Sequence, residues 1–166
     1  MRSHKGTMKS IIVYYSYSGN THKVAEILRE RLSREGEATL VRLKAEDESS
    51  NFFIQCLRAI SNKRARIKDV PFNLFGYDLI CLGCPVWARE PVPAIKTYLD
   101  KCSDLDGKRA ILFVTYGSGL GKDHCMDKME NALRKKGIKD YRRFSISQFK
   151  VNDRNFVLEE MEKCLK

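Results

Sequence analysis

Three segments, two of them glycine-bearing and each placed just after an apolar run, hold the residues best suited to chemistry. The first is Ser16-Tyr17-Ser18-Gly19-Asn20-Thr21. Three hydroxyls stand beside a glycine and an asparagine, the residue types that tolerate a tight turn. An amphipathic stretch begins at His22, so several backbone N–H groups can converge at the positive end of a helix dipole. Phosphate is the natural occupant of such a place, although an ordinary capped turn has the same composition. The segment lacks the Gly-Lys-Ser/Thr ending of a triphosphate loop and the triple-glycine dinucleotide pattern. Both absences argue against a nucleoside triphosphatase and against a Rossmann dehydrogenase. The second segment, Cys84 to Pro93, carries three prolines and the only tryptophan, Trp87; the third is Tyr116-Gly117-Ser118-Gly119-Leu120-Gly121.

The elements around these segments follow from hydrophobic spacing. Lys9 to Tyr15 is a short, β-branched, nearly continuous apolar run, which suits a strand covered on both faces. From Thr21 to Glu35 the period changes: Val24, Ala25, Leu28 and Leu32 fall three or four apart, which predicts a helix ended by Gly36. Thr39 to Leu43 reads as a second strand and Phe52 to Ile60 as a helix, with Phe53, Cys56, Leu57 and Ile60 at helical spacing. Strands are predicted at Asp78–Gly83, Arg109–Thr115 and Tyr141–Ile146. Helices are predicted at Ala94–Lys101, Asp123–Lys136 and after Asp153, an N-cap residue. Strands alternating with helices imply crossover connections, a parallel sheet and helices on both faces.

The chain has 166 residues, of which 43% are hydrophobic and 31% charged, the balance of a globular protein with one core. The reading takes residues 8–166 as one domain and 1–7 as a disordered leader or an added segment ahead of Met8. No apolar run approaches the roughly 20 residues of a membrane span, so no membrane partner is expected. The basic N-terminus fails as a secretory signal, which makes a cytoplasmic location the expectation. The six cysteines are then read as thiols.

At Ser16-x-Ser18-Gly19-Asn20-Thr21 the chain resembles the phosphate loop of the flavodoxin family. The resemblance extends through Tyr77-Asp-Leu-Ile-Cys-Leu-Gly-Cys-Pro-Val-Trp87 and through Gly107-Lys-Arg to Tyr116-Gly-Ser-Gly119. It covers nearly the whole chain from Lys9. It implies a three-layer α/β/α sandwich around a five-stranded parallel sheet of order 2-1-3-4-5, in the family's short-chain form. It also implies non-covalent flavin mononucleotide (FMN), its ribityl phosphate held by Ser16, Tyr17, Ser18, Gly19, Asn20 and Thr21. Pro85, Val86, Trp87 and Ala88 would line one face of the isoalloxazine ring, and Tyr116, Gly117, Ser118 and Gly119 the other. Physical chemistry agrees with that assignment. A flat, electron-poor ring gains by stacking on Trp or Tyr, and small residues let backbone N–H groups reach its polar edge. Trp87, flanked by Pro85 and Pro91, is expected on a loop badly placed for core packing.

The implied function is electron transfer through the bound ring, with no catalytic side chain assigned. One alternative is an NAD(P)H-dependent FMN oxidoreductase acting on a quinone or other small acceptor. Another is a flavin-free binding module. The net charge of +10 sets the chain apart from acidic electron shuttles of this family. It suggests an acidic redox partner, and Arg89 is a candidate cation at the flavin edge. Basic runs at 62–68 and at Arg134-Lys-Lys136 lack the aromatic or groove-fitting context of nucleic-acid binding, so none is expected. Cys81-x-x-Cys84 is read first as two small buried residues, and a thiol role near the flavin stays open. His4, His22 and His124 lack partners at metal spacing, so no metal site is assigned.

Overall fold

A computed structural model describes residues 7–166; residues 1–6, with His4 and most of the segment expected as a leader, lie outside the described residues. Five strands alternate with five helices. The strands are β1 (Met8–Tyr14), β2 (Gly36–Arg42), β3 (Leu79–Pro85), β4 (Arg109–Tyr116) and β5 (Asp140–Ser147). The helices are α1 (Asn20–Leu32), α2 (Phe52–Ile60), α3 (Pro93–Lys101), α4 (Lys122–Arg134) and α5 (Arg154–Leu165). All four pairings are parallel and the strand order is β2-β1-β3-β4-β5. The fold class and strand order match the sequence expectation.

The two-residue period of the central strands splits their side chains between two cores. Ile11 and Val13 of β1, Ile80 and Leu82 of β3, and Leu112 and Val114 of β4 face α3 and α4. Ile12 and Tyr14, Cys81, and Ile111 and Phe113 face α1 and α5. Helix spacing supplies the opposing surfaces: Val24, Leu28 and Leu32 from α1, Met126, Met129 and Leu133 from α4, Val157 and Met161 from α5. Both faces of β1, β3 and β4 are therefore dry, which is why these segments read as unbroken apolar runs. Asp153 caps α5 as expected, its Oδ1 accepting from the Phe156 N–H at 3.0 Å.

Several boundaries differ from the sequence reading. Gly36 does not end the first helix; it opens β2, pressed so closely on the Met8 backbone that a Cβ would overlap it. The larger surprise is α2. Its period is helical as expected, but Phe53, Ile54, Leu57 and Ile60 face outward, while only Gln55 and Ala59 are buried. Gln55 is held inside by its Nε2 donating to the Ser49 carbonyl at 3.0 Å. The cysteine pair also resolves. Cys81 and Cys84 lie three residues apart on one strand, an odd separation that puts them in opposite cores, so they do not face each other. Burial pushes the Cys81 thiol well above its ordinary pKa. All six cysteines are free thiols.

Gly83, at the centre of β3, lies where a Cβ would enter the Phe113 ring, itself stacked on Phe144 with centroids 5.5 Å apart. Gly83→Ala should lower the unfolding free energy by about 1–3 kcal/mol through overpacking. An unchanged urea midpoint would show that the ring moves aside freely.

Candidate functional site

Parallel pairing sets the carboxyl ends of β1, β3 and β4 side by side, with Tyr14 opposite Gly83 and Pro85 opposite Thr115. The three segments singled out in the sequence leave the sheet from that edge. Between them opens a cavity of about 540 Å3, within the roughly 300–1,000 Å3 usual for small-molecule sites. The first loop contributes Tyr17, Ser18 and Asn20 to its wall, and the second Pro85, Val86, Trp87 and Ala88. The third contributes Tyr116, Gly117 and Ser118. Ser16, Gly19, Thr21 and Gly119 stand behind the wall.

Those four residues shape the loops. Gly19 is the N-cap of α1 at φ 89, a left-handed conformation open to glycine at little cost. Gly119 adopts φ 81 in the third loop. Ser16 is buried; its Oγ accepts from the His22 N–H at 3.2 Å, and its carbonyl accepts from Arg42 Nη2 at 2.9 Å. The Thr21 hydroxyl is also buried, 2.8 Å from the Thr115 hydroxyl, which pins the first loop to the end of β4.

The important consequence concerns the backbone. The N-cap residue Gly19 has no side chain to cap α1, and Ser16 Oγ serves only the His22 N–H. Among the described residues, the N–H groups of Tyr17, Ser18, Gly19, Asn20 and Thr21 donate to no protein acceptor; the first bonds of this turn are those from His22 and Lys23. Five successive unpartnered donors at the positive end of a helix are groups from which an anion can accept.

Trp87 corrects one expectation. It is 4% exposed and belongs to the core. Tyr15, Tyr17 and Phe52 each meet its ring edge-to-face with centroids 5.5 to 5.6 Å apart, the geometry that aromatic quadrupoles favour. Proline-flanked loops can still bury a large ring when neighbouring elements rise to enclose it. Here Tyr17 is fixed by its hydroxyl donating to the Ser50 carbonyl at 2.9 Å. Tyr15 donates to Glu48; burial and the adjacent carboxylate keep that phenol protonated far above its ordinary range. On the opposite wall Tyr116 carries Lys122 Nζ 4.9 Å over its ring.

Trp87 is held by a two-residue hairpin closed by paired backbone bonds with Glu90. Ala88 and Arg89 occupy its tip at φ 48 and 69, a left-handed strain of roughly 1–2 kcal/mol per residue. Glu90 anchors the hairpin through ion pairs to Lys128 and to Lys96 at 3.0 Å. Lys96 is itself buried and donates to the Ala59 carbonyl at 2.7 Å. Burial alone would raise the Glu90 pKa, but the hydrogen bonds from Lys128 and Lys96 outweigh it and hold the carboxyl below its usual value. Arg89 does not line the cavity; its stem lies against Gly121.

Sequence reasoning missed four wall residues: Phe52, Cys56, Thr115 and Gln148. Thr115 was nearest to hand, one residue before the third loop. Gln148 follows β5, and its N–H donates to the Tyr116 carbonyl at 2.8 Å, a contact only the sheet creates. Phe52 and Cys56 belong to α2, at least 28 residues from each loop they meet in space. The wall carries no Asp, Glu, His, Lys or Arg among the described residues. His22 bonds instead to the Tyr14 hydroxyl at 2.5 Å, and His124 approaches Glu90 at 3.7 Å.

The strand order, with a cavity at the point where β1 and β3 diverge, defines the flavodoxin-like class of α/β folds. The sequence pattern of the flavodoxin family matches residues 9–157, and the chain belongs to that family. Solved structures agree on the fold. A flavoprotein from Bacteroides uniformis is 19% identical with a TM-score of 0.70, covering 89% of this chain and 97% of its own. A flavoprotein in complex with FMN from Lactobacillus acidophilus is 22% identical at 0.60, covering 89% and 99%. An NADH:FMN oxidoreductase in its apo form is 17% identical at 0.57, covering 92% and 90%.

Glu90→Gln should reduce stability by about 2–3 kcal/mol, because Lys96 loses its charge partner inside the protein. Wild-type stability from Glu90 is present above the ordinary carboxylate pKa and lost as pH falls through the depressed one. The variant should lack that component of acid unfolding. Superimposable wild-type and variant profiles from pH 7 downward would exclude this anchor.

Proposed function

We propose that this flavodoxin-family protein binds FMN without a covalent bond and transfers electrons through it. One observation carries the reading: a row of unpartnered N–H groups at the start of α1 opens onto an uncharged, aromatic-lined cavity of about 540 Å3. The loop 16–21 holds the phosphate through its backbone, with Ser18 and Asn20 as side-chain donors. Tyr17 and Phe52, backed by the buried Trp87, offer apolar ring surface on one side and Tyr116 on the other. The second and third loops, with Gln148, offer backbone and amide groups to the polar edge of the ring. FMN when bound supplies reversible one- and two-electron chemistry that the side chains cannot. The chain itself positions the ring, shields it from water and sets the local field. That field is positive, from a net charge of +10 and from Lys122 above Tyr116, and it favours an acidic redox protein as the electron partner.

A second reading, an NAD(P)H-dependent FMN oxidoreductase acting on a small acceptor, draws support from the likeness to an oxidoreductase of that chemistry. Bleaching of the flavin absorbance by NADH or NADPH, without any partner protein, would favour it.

Titration of the flavin-free protein with FMN tests the first reading. Ser18→Asp places a carboxylate among these N–H groups and should weaken FMN at least about tenfold, while riboflavin, which lacks the phosphate, should bind the variant and wild type alike. No uptake of FMN by the wild type, or equal losses for both flavins, would reject the assignment.

A further inference from the structure

Helix α2 is inside out. A surface helix places its apolar residues at i, i+3, i+4 and i+7 toward the core. Phe53, Leu57 and Ile60 have that spacing yet are 69%, 50% and 59% exposed, with Ile54 beside them at 44%. At about 100° per residue the four fall on one continuous arc of roughly 120°. Phe52, half exposed, extends the patch to the cavity. Contiguous apolar surface of this kind marks a binding face.

The surrounding charge selects the occupant. Residues 51–68 contain no Asp or Glu and five cations: Arg58, Lys63, Arg64, Arg66 and Lys68. Asp47, Asp100 and Glu46, from neighbouring segments, pair with Arg58, Arg64 and Lys68. The side chains of Lys63 and Arg66 have no carboxylate partner among the described residues, nor has that of Lys44 on the loop before α2, where Glu48 accepts from the Tyr15 hydroxyl. A second copy would bring the same cations, and the same +10 overall, against themselves. The outward face of a helix, apolar and bordered by cations, suits a soft, flat anionic surface better than a preshaped protein pocket.

We propose that α2 is a peripheral docking helix for an anionic lipid bilayer. Phe53, Ile54, Leu57 and Ile60 enter the interface between headgroups and acyl chains, and Lys44, Lys63 and Arg66 meet the lipid phosphates. Such a helix lies on the membrane and needs none of the length that a span requires. The sequence expectation of no membrane partner concerned a span. Because Phe52 and Cys56 are shared with the cavity wall, docking turns that side of the cavity toward the bilayer. The inference does not depend on flavin binding.

The test is co-sedimentation of the full chain, with and without added FMN, on vesicles of phosphatidylcholine alone or mixed with phosphatidylglycerol. Binding is expected on the mixed vesicles only, and it should weaken as salt is raised from about 0.1 to 0.5 M. Phe53→Ser combined with Leu57→Ser should reduce the partition constant more than about tenfold, and Lys63→Glu with Arg66→Glu should abolish the preference for anionic lipid. Thermal unfolding checks that both variants fold. Wild type that stays in the supernatant with anionic vesicles overturns the proposal. So does a wild-type dimer dispersed by the apolar double substitution, which would make α2 a self-association face, and so does vesicle binding that neither pair alters.

Discussion

In a parallel sheet every strand points the same way, so all the chain segments that leave its carboxyl edge emerge at one level. In this protein that constraint brings the ends of β1, β3 and β4 together, with Tyr14 level with Gly83 and Pro85 level with Thr115. The connections that follow must separate, since β1 turns to α1 on one face while β3 and β4 lead to helices on the other. The gap left between them is the cavity. At one side of it stand the first N–H groups of α1, which a helix cannot satisfy itself, and Gly19 holds the turn before them at φ 89.

A wall made only of loops would be a poor platform for a rigid ring, and the surrounding contacts show how this wall is stiffened. Thr21 is bonded to Thr115 across the sheet edge. Tyr17 reaches the loop before α2. The strained tip at Ala88 and Arg89 is tied down behind by Glu90, whose partners Lys96 and Lys128 come from α3 and α4. Elements on three sides of the cavity are thus joined by short polar contacts, while the cavity surface is left uncharged. Cations stand just outside it, at Lys122 and Arg42, where they shape the field without lining the cavity.

The uneven treatment of α2 separates this protein's architecture from its surface chemistry. The helix closes one side of the aromatic group through Phe52, and it contributes little more to the core than Ala59 and Gln55. Its remaining apolar side chains are left to solvent, bordered by cations. A helix that only completed the fold would have the reverse orientation.

Much of the architecture was legible in the sequence because it rests on short-range rules. Short continuous apolar runs bounded by turn residues suit strands covered on both faces, and apolar residues recurring three and four apart suit one side of a helix. The third strand was read as ending at Gly83, and only its continuation to Pro85 puts Cys81 and Cys84 on opposite faces of one strand. The turn at 16–21 was legible from its hydroxyls and glycine, residues whose backbone preferences are local. Other features are set by contacts between segments distant in the chain: the burial of Trp87 among Tyr15, Tyr17 and Phe52, the arrival of Gln148 at the cavity, and the outward face of α2. Helical spacing in α2 fixes which side chains share a face and carries no information about which way the face turns. The sequence by itself therefore determined the elements, their order and the turn suited to an anion. The tertiary structure alone decided which side chains meet around the cavity and which apolar face stays uncovered, because both depend on how separate elements pack.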